Sequence, residues 1–188
     1  MRTLDLPLIL SALWGLSELV LAFTKRAGKG TTSADRGTFG LQWLLFGVGI
    51  GGAVALAEYG IGRVSVAGAA LPIVGAALMV SGMVLRWTAI LTLGRFFTVD
   101  VAIAGDHQLV RSGVYRWLRH PSYSGELLLV LGFGVSLRSW ASLLLILGAV
   151  SIALVSRIRV EEQALSKALG TAYDDYRRAT KRLIPFVY

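Results

Sequence analysis

The feature that most constrains this fold is a series of long apolar segments separated by short polar stretches. The five segments run about Leu6–Phe23, Phe39–Tyr59, Val66–Leu93, Leu127–Leu137 and Trp140–Val155. A bilayer crossing by an α-helix needs roughly 20 mostly apolar residues, so these segments suit transmembrane helices. A mean hydropathy of +0.65 with 16% charged residues leaves too little polar surface for a water-soluble core of 188 residues. The sequence therefore predicts an all-α, polytopic membrane protein of about five transmembrane helices.

The fourth apolar segment is short, and only Arg138-Ser139 separates it from the fifth. We therefore expect a tight helical hairpin whose first helix begins near Tyr123. Gly132 and Gly134 fall within that helix, where small residues let neighbouring membrane helices approach closely.

The basic residues predict the orientation of the chain. With five spans, one side of the membrane holds fifteen of them, namely Lys25, Arg26, Lys29, Arg36, Arg95, Arg111, Arg116, Arg119, Arg157, Arg159, Lys167, Arg177, Arg178, Lys181 and Arg182. The other side holds Arg2, Arg63 and Arg138, while Arg86 lies within the third span. Basic loops stay in the cytoplasm, so we expect the N-terminus outside and the C-terminus inside. The segment Leu6–Phe23 lacks a strong basic region before it and a clear cleavage site, which favours a retained first span.

Composition narrows the chemistry. The chain has no cysteine and two histidines, so it offers no thiolate nucleophile and no His-rich metal centre. Its net charge of +8 sits mostly beside the apolar segments. That position indicates membrane topology and contact with lipid headgroups, and we expect neither a nucleic acid partner nor a metal.

Two polar stretches, residues 94–126 and 157–188, are too long for simple connectors, and both are expected in the cytoplasm. In the first stretch Pro121 disfavours helical geometry at His120, which predicts a fixed corner at membrane depth. A corner of this kind suits a ligand site. The alternative interpretation is an interfacial belt of basic and aromatic anchors.

The second stretch begins with Arg157-Ile158-Arg159-Val160-Glu161-Glu162 and predicts a helix that continues from the fifth span until Pro185. Arg157 and Glu161 have the i, i+4 spacing that places two side chains on one helical face. Adjacent acids at a membrane boundary are costly unless they meet cations. A bound cationic ligand and a purely structural ion pair both satisfy that requirement.

The second half of the chain carries several motifs in a fixed order. The first reads Leu109-Val110-x-x-Gly113-x-Tyr115-x-x-x-Arg119-His120-Pro121-x-Tyr123-x-Gly125. After the hairpin follow Arg157-x-x-x-Glu161-Glu162, Leu165, Gly170, Tyr173, Tyr176, Arg182-Leu183 and Pro185. This pattern resembles the isoprenylcysteine carboxyl methyltransferase and phospholipid methyltransferase superfamily of integral membrane enzymes. The resemblance covers about residues 94–188, whereas residues 1–93 match it only in being hydrophobic and supplying three further spans.

The resemblance implies a methyltransferase that binds S-adenosylmethionine at the cytoplasmic face. It assigns cofactor binding to ten residues: His107, Leu109, Val110, Gly113, Tyr115, His120, Pro121, Tyr123, Glu161 and Glu162. Within this set the two glutamates would engage the methionine ammonium and the neighbourhood of the ribose or sulfonium. Arg157 would face the acceptor or the cofactor carboxylate as the nearest group to a catalytic side chain. The whole chain would then form a single membrane methyltransferase domain.

The acceptor implied by the resemblance is lipophilic and enters from the bilayer. Arg86, Arg95 and Phe96 are its candidate contacts: Arg86 either meets an anionic head inside a tunnel or snorkels to the interface, and Arg95 and Phe96 either line the tunnel mouth or pack at the interface. A prenylated cysteine carboxylate, a phospholipid amine and a phenolic lipid all remain open as acceptors. A transporter or a non-catalytic scaffold is the alternative from another functional class.

Overall fold

The computed structural model describes residues 5–25, 31–33, 37–65, 70–104 and 108–185. Six helices make up most of this part of the chain. They are α1 (Asp5–Thr24), α2 (Thr38–Glu58), α3 (Ala70–Leu93), α4 (Pro121–Ser136), α5 (Trp140–Leu169) and α6 (Thr171–Ala179). Two 3-10 turns, Gly94–Phe96 and Gly113–Arg116, lie between α3 and α4.

Four of the described helices are long and apolar enough to cross a bilayer. Their candidate spans are Leu6–Thr24, Thr38–Glu58, Ala70–Phe96 and Trp140–Leu169. The helix α4 has 16 residues, which corresponds to about 24 Å and is shorter than a hydrocarbon core of roughly 30 Å. The prediction of a helical membrane protein is therefore confirmed, and the count of five spans stays a prediction.

The long helices expose apolar side chains on their outer faces, as a lipid solvent requires. Examples are Leu16 on α1, Leu44 on α2, Val84 on α3 and Leu144 on α5, each about 60% exposed. Water-soluble monomers rarely expose such large apolar surfaces. Inside, the core is built from residues that are fully or nearly fully buried: Ala53, Ala76, Met79, Leu129, Val130, Ile146, Val150 and Leu154.

The helices α3 and α4 pack at backbone contact. A Cβ atom added at Gly132 would lie 2.5 Å from the carbonyl oxygen of Gly75, and one added at Gly82 would lie 2.6 Å from that of Gly125. Glycine is required at both levels because any side chain would force the helices apart. The predicted close approach at Gly132 is thus confirmed. This contact holds the start of α4 beside the end of α3, where the candidate site is formed.

Two details of the fold differ from the expectations. A short antiparallel ribbon, β1 (Thr31–Ser33) with β2 (Ala102–Ala104), joins two loops on the same side of the bundle and qualifies the all-α prediction. The predicted tail helix does continue from the fifth span, but α5 ends at Leu169 and α6 ends at Ala179 instead of near Pro185. Gly170 breaks the helix with a φ of 55°, a left-handed value that glycine adopts readily.

Candidate active site

The first component of the site is the corner at the start of α4. His120 is the N-cap of this helix with φ −125° and ψ 55°, and Pro121 occupies its first turn. Proline is favoured there because it needs no backbone donor, and it disfavours helical geometry in the preceding residue. The His120 ring stacks on Tyr123 with 5.6 Å between the ring centroids. The predicted non-helical corner at His120 is confirmed.

The second component is the C-terminal half of α5, which meets the corner through Tyr123. The Nε atom of Arg157 donates to the Tyr123 hydroxyl at 2.9 Å, and that hydroxyl donates to Glu161 Oε2 at 2.9 Å. Arg157 is also fixed by a hydrogen bond from Nη2 to the carbonyl oxygen of Val99. The Tyr123 hydroxyl therefore lies between Arg157 and Glu161, the i, i+4 pair predicted from the sequence, and links the two side chains.

The neighbouring carboxylate has a different environment. Glu162 is 4% exposed and accepts hydrogen bonds from Arg119 Nε at 3.0 Å and from Arg182 Nη2 at 2.9 Å. The His120 Nε2 atom lies 3.4 Å from the same carboxylate. Three elements of the chain thus converge on one acid, and a buried carboxylate with several charge-assisted partners is strongly held. The position of Glu162 indicates a structural clamp, while Glu161, whose side chain is 30% exposed, stays accessible.

Backbone pairing completes this clamp. Arg119 N donates to Lys181 O at 2.7 Å and His120 N to Arg182 O at 3.1 Å. The Ser124 hydroxyl donates to Leu183 O at 2.6 Å. The segment after α6 therefore lies alongside the residues before α4 and closes that side of the site.

A cavity lies between these elements, with about 810 Å³ of empty space including its open mouth. Ligand pockets in proteins typically enclose roughly 300–1,000 Å³. The lining residues come from the end of α3, both 3-10 turns, α4, α5 and α6: Leu93, Phe96, Phe97, Thr98, Asp100, Val101, Leu109, Val110, Tyr115, Arg119, His120, Ser122, Tyr123, Arg157, Glu161, Leu165, Tyr173 and Tyr176.

Eight of the residues predicted from the sequence line this cavity: Phe96, Leu109, Val110, Tyr115, His120, Tyr123, Arg157 and Glu161. Gly113, Pro121 and Glu162 support its wall without lining it. Gly113 has a φ of 57° and starts the turn that carries Tyr115. His107 lies outside the described residues.

The three residues predicted to contact the acceptor lie in different environments. Phe96 lines the cavity, whereas Arg95 is exposed and its guanidinium lies 4.5 Å from the centroid of the Phe96 ring. Arg86 is 4% exposed, which contradicts the snorkelling alternative. It does not line this cavity, so its contact with an acceptor head stays a prediction. Its guanidinium binds Glu18 through two hydrogen bonds of 2.7 Å and Glu126 through one of 3.1 Å. The positive charge of Arg86 is thus paired with two acids inside the helix bundle.

Two tyrosines of α6 were in the motif but were not among the predicted site residues. Tyr173 is 1% exposed, lines the cavity, and its hydroxyl has no hydrogen-bond partner among the described residues. Tyr176 donates to Tyr115 O at 2.7 Å. Burial raises the pKa of Tyr176 to about 12 against the opposing effect of Arg119, and burial likewise raises the pKa of Tyr173. Both phenols are therefore neutral hydrogen-bond donors at physiological pH.

The cavity combines an apolar wall with groups of both charge signs. Leu93, Phe96 and Phe97 form apolar surface at the end of α3, and Arg157 and Glu161 contribute a cation and an anion from α5. In the part of the chain that the structure describes, no three metal-ligating side chains gather in one place. Such a site suits an organic molecule that carries both a cationic and an aromatic part.

Comparisons with known proteins agree with the site. The profile of the isoprenylcysteine carboxyl methyltransferase (ICMT) family matches residues 75–167, from α3 into the C-terminal half of α5. Protein-S-isoprenylcysteine O-methyltransferase B of Arabidopsis thaliana is 37% identical over 115 residues, which is 60% of this chain and 58% of the relative. The Saccharomyces cerevisiae protein-S-isoprenylcysteine O-methyltransferase is 33% identical over 117 residues, covering 61% of this chain and 49% of the yeast protein.

A solved structure of the eukaryotic intramembrane Ras methyltransferase ICMT superposes with a TM-score of 0.62 at 30% identity. The superposition covers 78% of this chain and 53% of the eukaryotic one. The chain thus matches between about half and three fifths of the length of these relatives. The matched profile includes most of α3, all of α4 and most of α5, which are three of the helices that build the cavity. Residues 75–167 therefore resemble the isoprenylcysteine carboxyl methyltransferase family in sequence, and the chain resembles a solved member of that family in fold.

Proposed function

We propose that the chain is an S-adenosylmethionine-dependent methyltransferase that acts on a lipophilic acceptor, with an isoprenylated cysteine carboxylate as the acceptor class. One observation carries the proposal. The cavity places the accessible carboxylate of Glu161, the phenol of Tyr123 and the guanidinium of Arg157 beside an apolar wall at the end of a membrane helix. A site that joins a charged pocket to lipid suits a polar methyl donor and a lipid acceptor.

The cavity has groups that fit S-adenosylmethionine. Glu161 offers an acceptor to the ammonium of the methionine part, and Leu109, Val110 and Tyr115 offer apolar and aromatic surface to the adenine. The unpartnered hydroxyl of Tyr173 supports the fit, because a buried donor without a partner costs free energy until a ligand accepts its hydrogen bond. When bound, this cofactor supplies an electrophilic methyl group on a sulfonium leaving group.

The protein then has to position the acceptor and exclude water, since no covalent help is needed for an in-line displacement of this kind. Phe96 and Phe97 line the cavity at the end of α3 and offer apolar surface to the acceptor's hydrocarbon part. Arg157, held by Tyr123 and Val99, is the cation proposed to orient the acceptor carboxylate. A carboxylate is already ionised at neutral pH, so no general base is required.

The similarity to protein-S-isoprenylcysteine O-methyltransferases supports a carboxyl acceptor over the phospholipid amines and phenolic lipids that the motif alone leaves open. An amine or a phenol would also need a base near the reacting atom. Arg157 is a cation in the lining of the cavity, which favours an anionic acceptor.

The proposed topology has five spans, the N-terminus outside and the cavity in the cytoplasm. The distribution of basic residues supports the orientation. The packing of α4 against α3 from Gly125 to Gly132 supports a fifth span, because it places α4 at the same depth as α3. We propose a single domain for the whole chain. The family match begins at residue 75, inside α3, so the third span belongs with the cofactor-binding half.

Acceptor-dependent methyl transfer tests the proposed function. Purified protein in bilayer nanodiscs is incubated with methyl-labelled S-adenosylmethionine and a short prenylated cysteine with a free carboxylate. The matched acceptors are its carboxamide and the unprenylated cysteine. Transfer to the prenylated carboxylate alone is expected, whereas transfer to an aminophospholipid or phenol in its place would overturn the acceptor class. Absence of transfer to every acceptor would overturn the enzymatic proposal.

A further inference from the structure

A second cavity lies at the other end of the bundle, where α1 begins, α2 ends and α4 turns into α5. It has about 1040 Å³ of empty space including its open side. Its lining residues are Pro7, Leu8, Ala57, Glu58, Arg63, Phe133, Ser136, Leu137, Arg138 and Ser139. The length of α4, about 24 Å, separates it from the candidate active site, so it is not a part of that site.

The floor of this second cavity is rigid. The loop after α2 and the turn before α5 are joined by hydrogen bonds from Val64 N to Arg138 O at 2.8 Å, from Trp140 N to Gly62 O at 3.0 Å, and from Ser139 Oγ to Ile61 O at 2.7 Å. Arg138 has a φ of 55°, the one positive value at a non-glycine residue in the described part of the chain. Side chains rarely tolerate this conformation, so the bonded turn holds Arg138 in a fixed place.

Three charged side chains line the second cavity. Arg63 and Arg138 are cations and Glu58 is an anion, and none of the three has an ion pair or a side-chain hydrogen bond with a described residue. The backbone bridge between Arg63 and Ser139 and the hydrogen bond from Val64 N to Arg138 O bring the backbones of the two arginines close together. Arg63 and Arg138 are also two of the three basic residues expected on this side of the membrane.

The surroundings place the second cavity at headgroup depth. Tyr59 is 82% exposed and Trp140 is 59% exposed, and both adjoin the segments that line it. Exposed aromatic residues at helix ends mark the membrane interface. Below this level, Phe133 and Leu137 continue the lining toward the apolar core. The cavity thus has a charged upper part and an apolar lower part, as an amphiphile does.

We propose that this cavity binds a zwitterionic glycerophospholipid with a primary amine, such as phosphatidylethanolamine. The phosphate lies against Arg63 and Arg138, the ammonium lies against Glu58, and an acyl chain follows Phe133 and Leu137. Charge complementarity selects this ligand. Two arginines can donate hydrogen bonds to one phosphate. The carboxylate disfavours a purely anionic headgroup and favours an amine that has hydrogens to donate.

Native mass spectrometry of the delipidated protein tests the proposal. The protein is mixed with phosphatidylethanolamine, phosphatidylcholine and phosphatidylglycerol of identical acyl chains, and bound lipid is counted for the wild type, Glu58→Gln, Arg63→Gln and Arg138→Gln. Arg178→Gln is the matched control, since Arg178 is an exposed arginine of α6 at the other end of the bundle. Unfolding midpoints in detergent identify any variant that fails to fold, in which case Glu58→Gln and Arg63→Gln decide.

The wild type should bind one phosphatidylethanolamine in preference to the other two lipids. Each arginine variant should weaken that binding by about three- to tenfold, as expected for loss of one charged contact, and Glu58→Gln should abolish the preference over phosphatidylglycerol. Arg178→Gln should match the wild type. Equal binding of all three lipids by the wild type, or unchanged binding in all three site variants, would overturn the proposal.

Soluble glycerophosphoethanolamine distinguishes a lipid from a free phosphate compound. It has the same headgroup without acyl chains, and we expect a large excess of it to leave the bound lipid in place. Displacement of the lipid at modest concentration would mean that the headgroup alone is the ligand and would contradict the lipid assignment.

Discussion

Replacing Arg86 by glutamine should strongly destabilise the protein. The guanidinium neutralises Glu18 through two parallel hydrogen bonds and also binds Glu126 and the Ser122 hydroxyl, at 3.1 and 3.0 Å respectively. The side chains of Arg86 and Glu126 are 5% and 1% exposed, and that of Glu18 is 15% exposed. The substitution therefore leaves two acids in the bundle without their cation.

The magnitude follows from the burial of this cluster. Removing one partner of a buried ion pair costs about 3–5 kcal/mol, because the remaining charge loses its compensation without regaining water. A domain of this size has a total stability of roughly 5–15 kcal/mol, so Arg86→Gln should remove a large fraction of it. The same cluster joins α1 to α3 and α4, and the separation of α1 is the expected first step of unfolding.

Unfolding in mixed micelles of sodium dodecyl sulfate and a mild detergent measures this change. The control is Arg95→Gln, which removes an exposed arginine near the same helix end and should shift the free energy of unfolding by no more than about 0.5 kcal/mol. The triple variant Glu18→Gln, Arg86→Gln, Glu126→Gln should recover part of the loss, since no charge remains unpaired. If Arg86→Gln unfolds at the wild-type detergent fraction, the reasoning about a buried charge cluster is refuted.

Three further predictions test other parts of the structure. Gly132→Ala should destabilise the protein by about 1–3 kcal/mol in the same micelle assay, because the new Cβ would overlap the backbone of α3. The control Gly148→Ala should leave the stability unchanged, because the space around Gly148 is open. Tyr173→Phe should slightly raise the stability of the ligand-free protein, because it removes a buried donor without a partner among the described residues. It should weaken cofactor binding about three- to tenfold in a titration, and equal affinity would show that the hydroxyl does not meet the ligand. Because the pKa of Tyr176 is raised from 10 to about 12, its contribution to stability is complete below pH 10 and is lost as the pH rises from 10 to about 12. Tyr176→Phe should therefore flatten the plot of stability against pH in that range. An unchanged slope would contradict this prediction.

The sequence predicted the parts of the fold that local patterns encode. The apolar segment Phe39–Tyr59 corresponds to α2 at Thr38–Glu58, and the expected helix start near Tyr123 lies two residues after the observed one at Pro121. Hydrophobic length and the conformational limits of proline act within a few residues, so these features are visible without a structure. The end of α5 at Gly170 was missed because the polar residues after it keep a helical spacing.

The candidate site was predictable in its members but not in their partners. The motif identified His120, Glu161 and Glu162 together, yet it did not separate the accessible acid from the clamped one. That difference depends on Arg182, twenty residues later, and on the pairing of the tail with the residues before α4. Arg86 is a similar case: a lone cation in a span indicates a functional group, but its two acids lie on other helices and no local spacing reveals them.

The central claim is that the cavity between α3, α4, α5 and α6 binds the methyl donor. Calorimetric titration of the folded, detergent-solubilised protein with S-adenosylmethionine and S-adenosylhomocysteine tests it most directly. The test variant is Glu161→Gln, since Glu161 lines the cavity, and the control is Asp175→Asn, since Asp175 is an exposed acid of α6. We predict saturable binding to the wild type and to Asp175→Asn, and at least about tenfold weaker binding to Glu161→Gln. Binding of equal strength to all three proteins would contradict the placement of the cofactor, and absence of binding to the folded wild type would contradict the methyltransferase assignment.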